Sequence, residues 1–89
     1  EPLDFSLAQN MPNPFNPNTR IDFELKNGGF ARLSVFNLSA RKTEMLINQR
    51  LIAGKHSAVF NASDYASGVY FYRLEVGGQS ITRKMLLLK

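Results

Sequence analysis

Apolar and polar residues alternate one by one along Thr19–Leu25. Ile21, Phe23 and Leu25 fall on one side; Arg20, Asp22 and Glu24 fall on the other. That period belongs to an extended strand with one buried face. It recurs in Phe30–Asn37, where Ala31, Leu33 and Val35 share a face, and in His56–Asn61, where Ala58 and Phe60 are in register. Phe30 and Phe36 lie with Arg32 and Ser34 on the second face of their strand, so that face is not purely polar. Turn formers break the pattern about every eight to twelve residues: Asn27 to Gly29, Asn37 to Arg41, Gly54, and Gly77-Gly78. No segment carries helical spacing over a useful length. Together these features predict an all-β antiparallel sandwich of about seven strands.

The remaining segments read less sharply. Phe5–Gln9 alternates weakly and suits a short edge strand. Lys42–Ile47 is a weaker strand, and Asn48–Lys55 is loop-like, with Leu51 and Ile52 tucked in and Gly54 turning the chain. Ala62–Gly68 is a connector in which Asp64–Ala66 fits a single helical turn. Between Asn10 and Asn18, the prolines Pro12, Pro14 and Pro17 remove backbone donors and hold their predecessors extended. This stretch predicts an ordered loop anchored by Phe15 and Met11. Gly68–Lys89 reads as one hairpin, with strands Val69–Val76 and Gln79–Leu88 joined by Gly77-Gly78, a pair suited to the positive φ of a tight turn.

Eighty-nine residues support one domain, residues 1–89, with a single core. There is no cysteine, so no disulfide supports it, and the single histidine, His56, rules against a structural zinc. The absence of cysteine fits an exported domain as well as a cytosolic one. The net charge of +4 comes from 11 basic and 7 acidic residues, scattered except at Arg41-Lys42 and Arg83-Lys84. A nucleic-acid binder more often shows a dense basic stripe, so no nucleic-acid partner is expected. His56 has no nucleophile or carboxylate at a recognisable spacing, and the acidic residues form no calcium loop. The expectation is no catalytic residue, no metal and no cofactor. No apolar stretch has membrane-spanning length, so no membrane insertion is expected. The chain begins at Glu1 without an initiator methionine, which reads as the C-terminal piece of a longer protein.

Three separated motifs carry a family resemblance. Gln9–Ile21, containing Pro12-Asn13-Pro14-Phe15-Asn16-Pro17, resembles the opening of the type A C-terminal sorting domain of the type IX secretion system. Leu33–Leu38 and Ala53–Ser57 are similar to its middle. Ala66–Leu74 and Arg83–Lys89 are similar to its end. The resemblance spans residues 7–89. A related immunoglobulin-like domain occurs in the flagellar hook-capping protein, the nearest family with which this one can be confused. The chain departs from the family's pattern at Ala40, where a glycine is usual, and at Met11, where an aromatic often stands. Alanine disfavours positive φ, so the turn at Ala40 is expected to differ in type or carry mild strain.

The resemblance implies an immunoglobulin-like sandwich that acts as a secretion and sorting signal. It implies a cargo domain upstream, transit through the periplasm, and recognition by an outer-membrane translocon. It further implies removal by a sortase-like peptidase at or before Glu1, leaving the cargo secreted or on the cell surface. The residues expected to meet the machinery are Gly68, Val69 and Tyr70, and the terminal run Arg83, Lys84, Met85, Leu86, Leu87, Leu88 and Lys89. Neighbouring strand residues point to opposite faces, so three consecutive leucines need either two covered faces or one exposed side chain. An unprotected final strand invites pairing with a partner strand, or strand-swapped dimers, with Lys84 and Lys89 framing it. Pro12–Pro17 has two readings: a docking loop, or a rigid cap with Phe15 plugging the core. Tyr70 is expected to bond backbone at a corner of the sandwich. The alternative function is an accessory module that scaffolds or binds carbohydrate, with Tyr65, Tyr70 and Tyr72 as the available aromatics.

Overall fold

The computed structural model describes residues 3–89; the expected cleavage position at or before Glu1 lies outside them. Seven strands follow in order: β1 (Phe5–Leu7), β2 (Asn18–Leu25), β3 (Gly29–Phe36), β4 (Lys42–Leu51), β5 (Gly54–Asn61), β6 (Gly68–Val76) and β7 (Gln79–Leu87). They form two antiparallel sheets, β1-β2-β5 and β4-β3-β6-β7. A constant-type immunoglobulin arrangement would seat the fourth strand beside the fifth. Here β4 pairs with β3 instead and becomes the edge of the larger sheet.

The alternation found in the sequence builds the core. Ile21, Phe23 and Leu25 of β2 face Ala31, Leu33 and Val35 of β3, and Tyr72, Leu74, Met85 and Leu87 complete the second layer; all are buried. One end is closed by an aromatic chain in which Phe15, Phe60, Tyr65 and Tyr70 sit 6.0, 5.6 and 6.2 Å apart in succession. The terminal hairpin forms as expected. Gly77 and Gly78 have φ of 58° and 79°, the left-handed pair of a type I′ turn, and the ladder runs from Val76↔Gln79 to Gly68↔Leu87.

Several expectations need correction. β4 continues through Leu51, so Asn48–Leu51 is strand rather than loop, and only Ile52 and Ala53 separate it from β5. The outer half of β3 supplies the partners, Arg32↔Asn48 to Gly29↔Leu51. Leu51 is half-buried against the core, but Ile52 sits on the turn and is 79% exposed. Asp64–Ala66 forms no helical turn; a single Tyr65 N–H to Ala62 O bond of 3.0 Å bends the connector. Met11 does not anchor its loop, being 64% exposed, and Phe15 alone is inserted. Ala40 adopts φ 63°, so the turn keeps the left-handed form despite its side chain. Asn37 Oδ1 accepts from the Ser39 and Arg41 amides at 2.9 and 3.0 Å, which fixes the same turn.

Candidate recognition surface

The proline loop and the last strand are built as one unit. Phe15 inserts between the sheets and, from the same residue, its backbone pairs with β7. The Phe15 N–H donates to Leu86 O and the Leu88 N–H donates to Phe15 O, both at 3.0 Å. This forms a parallel bridge to Leu87 on the outer edge of the sheet. Asn13 Oδ1 accepts from the Leu86 N–H at 3.0 Å, and Gln9 Nε2 donates to Lys84 O at 2.8 Å. The Arg83 Nε donates to Leu7 O across the gap between β7 and β1. The edge expected to be open is therefore covered from Lys84 to Leu88. Its open part is the stretch nearer the hairpin turn, around Ser80 and Thr82.

The loop starts from a buried polar knot. The Tyr72 hydroxyl donates to Ala8 O at 2.7 Å and accepts from the Asn10 N–H at 2.8 Å. Asn10 Nδ2 donates to Thr19 Oγ1 at 3.0 Å and Pro12 O at 3.1 Å, and Thr19 Oγ1 donates to Pro12 O at 2.9 Å. Burial raises the Tyr72 pKa above its ordinary value, opposed by the Asn10 hydrogen bond and the Arg83 charge. The sequence reading did not single out Asn10 and Thr19, and it named Tyr72 only as an aromatic available for carbohydrate. The parity of β2 already placed Thr19 on the buried face beside Ile21, and that was the available signal.

The predicted positions divide by face. Tyr70 is buried and its hydroxyl donates to Ala66 O at 2.7 Å, a tyrosine corner. Gly68 takes φ 151° where the connector enters β6. Met85 and Leu87 are core; Leu86 is half-buried; Leu88 is 51% exposed. The run of leucines is thus resolved by leaving one outside. Lys89 does not stand free as a frame. Its Nζ donates to Ser63 O and Tyr65 O at 2.6 and 2.9 Å, and its N–H donates to Ser67 Oγ at 2.9 Å. Lys84 is exposed on the outer sheet face. Among the loop residues, Pro12, Asn13, Pro14 and Asn16 are exposed, and Pro17 is half-buried with its carbonyl accepting from the Ala62 N–H at 2.9 Å.

The aromatic residues suggested for carbohydrate are mostly committed elsewhere. Tyr70 and Tyr72 are buried, and Tyr65 donates its hydroxyl to Thr43 O and Glu44 Oε1 at 3.1 and 2.9 Å. A concavity of about 440 Å³ lies over β1, β2 and β5, bordered by Asp22, Glu24, Lys55 and His56. His56 stacks on Phe23 at 5.4 Å, with Nε2 2.8 Å from Ile52 O, so its ring serves the fold.

Two open sheets and a core-plugging loop locked to the last strand define a β-sandwich module. The chain belongs to the type IX secretion family of sorting domains: a family model described as a secretion system C-terminal sorting domain matches residues 11–88. It is thus a sorting signal for type IX secretion, carried by a secreted or cell-surface protein with cargo upstream. No curated protein matches the chain.

Proposed function

We propose that this domain directs its upstream cargo through the periplasm to an outer-membrane translocon, and that a sortase-like peptidase then removes it. In this reading the domain is itself no enzyme; it is the substrate. The unit recognised is the folded sandwich, with β7 presented in the form that Phe15 and Asn13 impose. The observation that carries the reading is the lock between Phe15 and Leu86–Leu88, which gives the terminal strand one fixed shape. A preformed surface avoids the entropy cost of ordering a tail on binding.

The test is export of a periplasmic reporter fused to residues 1–89 in a strain with a working type IX system. Export that depends on the machinery supports the reading. Deleting Lys84–Lys89 should trap the reporter, but it also removes Met85 and Leu87 from the core. The sharper variant is Leu88→Asn, which alters an exposed side chain and leaves the core intact. Retention of a folded wild-type fusion in the periplasm would overturn the reading and favour an accessory module.

A further inference from the structure

The two outer sheet faces differ in charge. On β2 and β5 the outward residues include Arg20, Asp22, Glu24 and Lys55, with Arg20 and Asp22 paired at 3.0 Å. That face is balanced. On the larger sheet, directly opposed residues share a face, and the outward set follows from the register: Arg32, Lys42, Arg50, Arg73 and Lys84 against Glu75. Among the described residues, five cations thus meet one carboxylate on these four strands.

The same face is also apolar. Phe36 lies opposite Phe71, Val69 opposite Leu86, and Ser34 opposite Met45. Phe30 is 43% exposed and Met45 37%. Two shallow concavities sit along β6. One, about 280 Å³, is bordered by Phe36, Leu38, Phe71 and Arg73; the other, about 320 Å³, by Pro14, Val69, Lys84 and Leu86. Each has apolar walls and one cation at its margin. Val69, Phe71 and Arg73 are successive outward positions on β6; Val69 borders one concavity and Phe71 and Arg73 the other, so the two are neighbours on this face. The Arg73 guanidinium lies 4.5 Å above the Phe36 ring, and its buried Nε has no hydrogen-bond partner among the described residues. The nearest carboxylate oxygen, on Glu75, is 3.9 Å away.

We infer that this face binds an extended acidic polypeptide segment whose apolar side chains enter the two concavities while its carboxylates meet Arg73 and Lys84. The inference rests on the recognition reading above, since Val69, Lys84 and Leu86 belong to the expected recognition set. It adds the chemistry of the partner. A rigid, half-buried apolar floor favours a peptide over a bilayer, which rewards protruding side chains that can insert.

The test titrates the whole chain with a fluorescein-labelled peptide alternating glutamate and leucine, followed by amide chemical shifts. The expected result is a shift cluster on Phe36, Phe71, Arg73 and Lys84, with binding abolished near 1 M salt, where screening acts within about 3 Å. Arg73→Gln with Lys84→Gln should weaken binding at least about tenfold. Should that pair disturb folding, Arg32→Gln with Lys84→Gln, at exposed positions, replaces it. Equal affinity for a lysine-leucine peptide, shifts on the β1-β2-β5 face, unchanged affinity in the variants, or binding only to phosphatidylglycerol vesicles would each overturn the inference. The same variants in the reporter separate the two readings. Normal export of Arg73→Gln, Lys84→Gln leaves sorting standing and removes this face from it. Failure of the wild-type fusion removes sorting and leaves the peptide titration to judge the face.

Discussion

Tyr72 holds two backbone groups that nothing else among the described residues serves. Its hydroxyl satisfies Ala8 O and the Asn10 N–H inside the sandwich. Tyr72→Phe keeps the ring and strands both groups, which should cost about 1–3 kcal/mol in urea denaturation. Tyr65 and Tyr72 also set a pH limit. Both have raised pKa values, Tyr65 through burial first and then its bond to Glu44, Tyr72 through burial. Each folded-state pKa lies above the unfolded value near 10, so the folded protein holds these protons more tightly. Their contribution is complete below about pH 10 and is lost as pH rises through the folded values. A thermal melt series should therefore show a falling midpoint above about pH 10. Ala40 is a third residue-scale case. Its φ of 63° is the left-handed form that a side chain resists. Ala40→Gly should raise stability by about 0.5–1 kcal/mol in the same denaturation assay.

At the scale of elements, the two edges of the larger sheet, β4 and β7, are defended differently. β4 has register shifts at Leu33/Ser34 and Val35/Phe36, and Lys42 and Arg50 along it, devices that discourage pairing with another chain. β7 relies on the proline loop. Phe15→Ala should cost about 3–5 kcal/mol through the lost core contact, and it should also release the loop from Leu86 and Leu88. Gel filtration of this variant is expected to show concentration-dependent association through the uncovered edge. These elements also mark what could be read in advance. β2 was legible because it alternates strictly, and β3, β5 and the terminal hairpin because each carries apolar residues at alternate positions between turn formers. The second half of β4 was not. Asn48, Gln49 and Arg50 are polar and exposed on both faces, so no apolar alternation marks them, although they pair with β3 in unbroken register. Phe15 was legible as a plug because it is the large apolar residue among prolines. Its backbone pairing with β7 was invisible, since a bridge between segments far apart in sequence leaves no local pattern. The charge of Lys89 suggested solvent or a partner, whereas its ammonium closes onto carbonyls of the connector.

For the molecule as a whole, the bonds near residues 7–15 and 83–89 tie the first segment to the last. Opening one should loosen the other. Native-state hydrogen exchange should therefore give the Leu86 and Leu88 amides protection that falls with the Phe15 amide, in one cooperative step. Much earlier exchange at Leu88 than at Phe15 would contradict this coupling. The arrangement also bears on timing. The slot for Phe15 is completed by β7, which follows the six other strands in the chain, so the loop waits unpaired until β7 has been synthesised and docked. A chain that is truncated, clipped or still threading lacks the finished edge. If the folded edge is what the secretion machinery reads, the lock works as proofreading: cargo becomes eligible for export only once its final strand has been checked into place.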